Sequence, residues 1–327
     1  MGVRSTVWVG RRRIKLWIGI GLFGVALSHG PAVGLSSAPG QTHAAPKHAR
    51  ASIPSSEADR WHFDQHQRVA TISTRYAPIV YYASASPHHV LVLVFGYPWD
   101  EASDAKILGY AQANISDWAA FAERNHVLVI APVLGGSNFV DYRELSGRLV
   151  DPDTFVDAVT DGPARRLVHG WNGKFCLYGH SAGAQFAARY VVAHPHRLEC
   201  AILSAPSTYA MPTRAVAWPF GMAARRNRDQ HPAPAEELWV SAATSTPIQV
   251  IVGSLDTESR PIAPGQVGAS RLERAQAWIA GMHALAAPNI KASRVTFIEV
   301  PDTAHDERKM AVAAKQMLER LYRGSSM

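Results

Sequence analysis

Lys174-Phe175-Cys176-Leu177-Tyr178-Gly179-His180-Ser181-Ala182-Gly183, continuing into Ala184 to Ala193, is the stretch whose reading decides the fold. Residues 174–178 are apolar and rich in strand formers, whereas residues 184–193 contain neither Gly nor Pro and carry good helix formers. A serine between two such runs sits on a sharp strand-to-helix turn. The glycines at 179 and 183 remove the Cβ atoms that would collide with neighbouring chain. The Ser181 hydroxyl is thereby expected to stand clear, at the positive end of a helix dipole.

A serine hydroxyl is a poor nucleophile until a base takes its proton, so the same reading demands a histidine and a carboxylate further along the chain. Pro247 to Gly253 has the pattern of a buried strand, and Asp256 lies in the loop that leaves it. Asp256 is the candidate acid, with Asp302 and Glu258 as the nearest substitutes. Arg294 to Val300 reads as the next strand, and the loop Pro301-Asp302-Thr303-Ala304-His305 supplies the candidate base, His305. Each of the three residues follows its own predicted strand, at the edge where open α/β sheets place their sites. Backbone N–H groups of Ala182 and Tyr97 are the candidate oxyanion donors, Tyr97 because it follows the strong strand pattern His89 to Gly96.

These motifs give the chain its resemblance. The Phe95-Gly96 loop, the Tyr178 to Gly183 elbow, Gly253-Ser254-Leu255-Asp256 and Thr303-Ala304-His305-Asp306 together resemble the α/β-hydrolases, in particular the secreted esterase and polyhydroxyalkanoate-depolymerase-like group, over residues 65–322. Many relatives carry His-Gly where this chain has Phe95-Gly96. The resemblance implies an α/β fold with a mostly parallel sheet, helices on both faces and a small lid-like insertion after the sixth strand. It implies a serine esterase acting on small esters or polyester oligomers through an acyl-Ser181 intermediate. A peptidase using the same triad, or a noncatalytic hydrolase-fold protein that binds a partner at the cell envelope, are the alternatives.

Residues 206–240 interrupt the strand–helix rhythm and are expected to form the lid or the acyl-side wall. Tyr209, Trp218 and Phe220 from this segment, Tyr97 and Trp99 from the oxyanion loop and His180 beside the nucleophile are the candidate substrate-binding residues. An equally weighted reading has Trp218 and Phe220 anchoring a long loop onto the core. Arg225, Arg226 and Arg228 read as a solvated face.

Composition places a removable front before this domain. Residues 1–50 carry seven Lys or Arg and no Asp or Glu, while the rest of the chain balances 26 basic against 26 acidic residues. The chain's basic character therefore belongs to its leader and gives no reason to expect a nucleic-acid partner. Arg4, Arg11, Arg12, Arg13 and Lys15 precede an apolar stretch from Leu16 to Leu27, shorter than the roughly 20 residues of a membrane span. Residues 1–34 are accordingly expected to be a signal peptide for secretion or periplasmic export, with an uncleaved anchor as the alternative. Residues 35–60 are expected to be a disordered linker and residues 61–327 the folded domain. There is no H-E-x-x-H and no Cys-x-x-Cys, so neither a metal site nor a cofactor is expected. Cys176 and Cys200, the only cysteines, fall on consecutive predicted strands, where Cβ directions favour two buried thiols over a bridge.

Overall fold

Uninterrupted apolar strands cannot leave either face to water, and the sheet they build is covered on both sides. The structure, a computed structural model, describes residues 52–58, 60–61, 69–96, 103–224, 232–259, 261–289 and 292–325. Its sheet has the order β1-β2-β4-β3-β5-β6-β7-β8. β1 (Ala70–Ile72) pairs antiparallel with β2 (Ile79–Ala83), and β2 pairs antiparallel with β4 (Val127–Pro132). The other neighbours are parallel: β3 (His89–Val94) with β4 and with β5 (Phe175–His180), then β6 (Leu198–Ser204), β7 (Ile248–Gly253) and β8 (Val295–Val300). The mostly parallel sheet with helices on both faces is the expected architecture.

Alternation along the strands sorts the core into two layers. α2 (Asp104–Arg124) and α7 (Glu307–Ser325) cover the face that carries Cys176, Tyr178 and Ile202. α3 (Pro152–Leu167), α4 (Ala182–Ala193), α5 (Glu236–Ser245) and α6 (Arg271–Ala286) cover the face that carries Leu177, Leu203 and Val250. The stripe that docks α2 is legible in its own sequence, since Ile107, Ala111, Ile115, Trp118 and Ala122 recur at helical spacing and are all buried.

Four features depart from the sequence reading. The fold begins before Trp61, because a short helical turn, α1 (Ser55–Ala58), lies inside the expected linker and buries Ala58 in the core. α5 was not expected; its Trp239, Ala242 and Ala243 are buried at helical spacing, in a segment assigned in part to the insertion. Within that insertion, residues 206–224 form a loop drawn onto the core. Tyr209 and Trp218 are fully buried, and Met211 N–H donates to the Phe220 carbonyl at 2.8 Å. Large aromatic surface is driven out of water more strongly than an open loop can resist. The expected signal peptide, Tyr97, Trp99, Arg225, Arg226 and Arg228 lie outside the described residues.

The fourth departure is the Cys176–Cys200 disulfide, where the sequence reading favoured thiols. A register shift between Phe175 and Cys176 explains it: Phe175 pairs with Leu198 but Cys176 with Cys200, leaving Glu199 as the extra residue. The bulge brings the two Cα atoms to 4.6 Å, within bridging range. The bridge ties the strand that carries Ser181 to its neighbour. Replacing both cysteines by alanine is expected to lower stability by about 3 kcal/mol, read from urea unfolding; an unchanged midpoint would show that sheet pairing alone holds the two strands together.

Candidate active site

Ser181 follows β5 and caps α4 with φ 54° and ψ −114°, a conformation that a residue bearing a Cβ adopts only under compulsion. Three glycines supply it. A Cβ on Gly179 would run into the backbone of Gly183 and Ala184, and one on Gly183 would overlap the Val94 carbonyl at the end of β3. One on Gly96 would lie 2.8 Å from Ala182 N and 2.9 Å from Ser181 Cβ. The turn is thus clamped between its own helix and the chain leaving β3. As the first residue of α4, Ala182 has an N–H without an intrahelical acceptor, directed beside Ser181.

The loops after β7 and β8 are stitched to each other before they reach the serine. Ser254 N–H donates to Val300 O at 3.0 Å and Leu255 N–H to Thr303 O at 2.8 Å. Gly253 permits this approach, since a Cβ there would overlap the Thr303 and Ala304 carbonyls. Asp256 and His305 are thereby held in contact: His305 Nδ1 lies 2.8 Å from Asp256 Oδ2, and His305 Nε2 lies 2.9 Å from Ser181 Oγ. An ionised carboxylate only accepts, so Nδ1 carries the proton and donates it to Asp256. Nε2 then presents its lone pair to the Ser181 hydroxyl, which donates. Of the substitutes, Glu258 and Asp302 are both exposed, whereas Asp256 is 3% exposed.

Sequence reasoning missed a fourth member. Arg271, the first residue of α6, donates from Nη1 to Asp256 Oδ1 at 2.8 Å, and both side chains are buried. Burial alone would raise the Asp256 carboxyl, but the His305 hydrogen bond and the Arg271 charge outweigh it and hold the group below its ordinary value. The one local hint was a cation in the first turn of a helix, where the dipole disfavours it.

His180 is buried beside the serine. It is 4% exposed, its Nδ1 lies 3.0 Å from Ser204 Oγ, and its ring packs against His305 with centroids 4.8 Å apart. Tyr209 and Trp218 are likewise core residues. Tyr209 stacks on Trp278 at 5.2 Å, and Gln266 clamps its backbone on both sides. Phe220 is half-buried beneath the buried Arg189 guanidinium, 5.2 Å from its ring centroid. Arg189 also donates to the Pro219 carbonyl at 3.0 Å, and Gln185 Nε2 donates to Ser207 Oγ at 2.9 Å. Trp218 is thus packed into the core, while Phe220 keeps part of its surface exposed. Among the described residues no group of three or more His, Cys, Asp or Glu side chains is arranged to hold a metal ion.

No protein-family model and no curated protein matches the sequence. Solved structures do. Poly(aspartic acid) hydrolase-1 from Sphingomonas sp. KT-1 is similar with TM-score 0.62 and 20% identity, over 76% of this chain and 97% of its own. A poly(3-hydroxybutyrate) depolymerase from Bordetella parapertussis is similar with TM-score 0.57 and 20% identity, over 74% of this chain and 84% of its own. With the strand order above, these likenesses show the α/β-hydrolase fold.

Burial of His180 has a measurable cost. Its imidazole is pushed down to about 3, first by burial and then by the charges of His305 and Arg271, from an ordinary value of 6.5. The unfolded chain therefore takes up a proton that the folded chain refuses, so this contribution is fully present above pH 6.5 and is lost as the pH falls toward 3. His180→Gln is expected to flatten the decline of the urea midpoint over that range by about one proton; parallel curves for the two proteins would sink the assignment.

Proposed function

We propose that this chain of α/β-hydrolase fold is a serine hydrolase that cleaves carboxylic esters through a covalent acyl-Ser181 intermediate. The observation that carries the reading is the unbroken hydrogen-bond chain Ser181–His305–Asp256, delivered by three strand ends and made from a serine held in a strained turn.

His305 Nε2 takes the Ser181 proton as Oγ attacks the acyl carbon, and the carbonyl oxygen becomes an oxyanion. The Ala182 N–H, at the positive end of α4, is proposed as one donor to that charge and the Tyr97 N–H as the second. The imidazolium then protonates the departing alkoxide, breaking the C–O bond and leaving the acyl group on Ser181. Water, deprotonated by His305, attacks the acyl-enzyme; collapse of the second tetrahedral intermediate returns the proton to Ser181 Oγ and releases the acid. Asp256 holds the Nδ1–H tautomer throughout and offsets the imidazolium charge. An ester is favoured over an amide because an alkoxide leaves more readily than an amine. No step requires a metal or an organic cofactor.

Small esters and ester oligomers are the proposed substrates. The reading includes export by residues 1–34, supported by their basic run followed by a short apolar one.

Protein lacking residues 1–50, assayed on p-nitrophenyl esters from acetate to palmitate, is expected to show activity that Ser181→Ala lowers at least about 10⁴-fold. A fluorophosphonate should label the parent at Ser181 and leave the variant unlabelled. Folded parent protein that neither labels nor turns over any ester would favour a noncatalytic binding protein.

A further inference from the structure

We propose that Arg271 is a positioning residue of the triad: it locks the Asp256 carboxylate in place, and its charge opposes the charge of a protonated His305. The inference rests on the serine-hydrolase reading.

The carboxylate of Asp256 has two oxygens and two partners. Oδ2 faces His305 Nδ1 at 2.8 Å, and Oδ1 accepts from Arg271 Nη1 at 2.8 Å. Taking away the second bond would free the carboxylate to rotate about its Cβ–Cγ bond and would leave a buried oxygen unsatisfied. The arginine is itself anchored at the start of α6. Ser270 Oγ accepts from Glu273 N–H at 3.2 Å and Glu273 Oε2 accepts from Ser270 N–H at 3.2 Å, a reciprocal cap that fixes where residue 271 leaves the helix. Arg274 fastens the same turn to the rest of the site edge, donating from Nη1 to Ser207 O at 2.7 Å and from Nε to Gly268 O at 3.0 Å.

The charge argument is separate from the geometric one. A triad whose aspartate has no other counter-charge gains a neutral pair when histidine is protonated. Here the pair Asp256–Arg271 is already neutral, so a proton on His305 adds a net positive charge to a partly buried cluster. The other groups near His305 do not reverse this. His180 is kept neutral by burial, and Ser181 is uncharged. Glu307, the first residue of α7, accepts from Tyr110 Oη at 2.5 Å, and burial pushes its carboxyl up to about 7. Asp306 is half-exposed and accepts from Lys309 N–H. The placement of Arg271 also runs against its own helix dipole, a local cost that a carboxylate across the site offsets.

The test compares wild type, Arg271→Gln and Arg271→Lys by kcat and KM across pH, per active site titrated with a fluorophosphonate, so that misfolded protein is not counted. In Arg271→Gln the acid limb of kcat/KM is expected to move up by about one pH unit, with kcat lower and KM little changed. Arg271→Lys keeps the charge and loses the guanidinium fork: its limb should stay at the wild-type position while kcat falls several-fold. A limb and kcat in Arg271→Gln that match wild type, with only stability reduced, overturn the proposal and leave the esterase reading intact. If Arg271→Gln yields no titratable sites, Arg271→Lys decides, and wild-type kcat per site overturns the proposal. Wild-type protein with no fluorophosphonate-titratable Ser181 overturns both.

Discussion

Everything at the site depends on one close approach of backbone to backbone, the contact of the Ser181 turn with the end of β3. The strained φ of Ser181 costs roughly 1–3 kcal/mol, and the turn persists because Gly183 lies against the Val94 carbonyl and Gly96 against Ala182 N. A side chain at either glycine would open that gap. The serine hydroxyl would then lose its aim, and α4 would no longer present its first N–H beside it. The disulfide behind the turn ties β5 to β6, so the strained element is braced both along its strand and across the sheet.

The second constraint is electrostatic. A carboxylate as buried as Asp256 is tolerated only when its lone pairs are met, and here a histidine and an arginine meet them from different elements. The loops that bring the three together are not free to drift. The turns after β7 and β8 share backbone hydrogen bonds, and Arg274 binds carbonyls from the loop after β6 and the loop before α6. The acceptors of Arg189 and Arg274 include main-chain carbonyls, so these buried cations hold loop backbone in place rather than facing a ligand. The ring of His180 fills the space behind His305, which limits how far the imidazole can swing away from Ser181.

Much of this was legible from local pattern. A strand period followed by a helix period on either side of Gly-His-Ser-Ala-Gly announced the turn, and Asp256 and His305 each stood a few residues past a buried strand run. Asp256 is buried where Glu258 and Asp302 are exposed, a difference that local sequence does not reveal. The aromatic residues of the insertion were less legible. Tyr209 and Trp218 looked like cleft residues because an aromatic side chain in a loop reads alike whether it lines a pocket or plugs the core; Trp278 and Trp239, which they pack against, come from helices distant in the chain. α5 escaped notice because it is short and was read as the tail of an insertion. A single bulge at Glu199 turned two unpromising cysteines into facing partners.

By itself the sequence determined the succession of core strands and the strand-to-helix turn, because these follow from periodicity and from glycine's lack of a Cβ, both local properties. The tertiary structure alone decided which groups touch. Arg271 meets Asp256 across fifteen residues, and Gln266 meets Tyr209 across fifty-seven. Such pairings are set by sheet register, helix placement and the demand that buried polar groups find partners, and no local periodicity of sequence announces them.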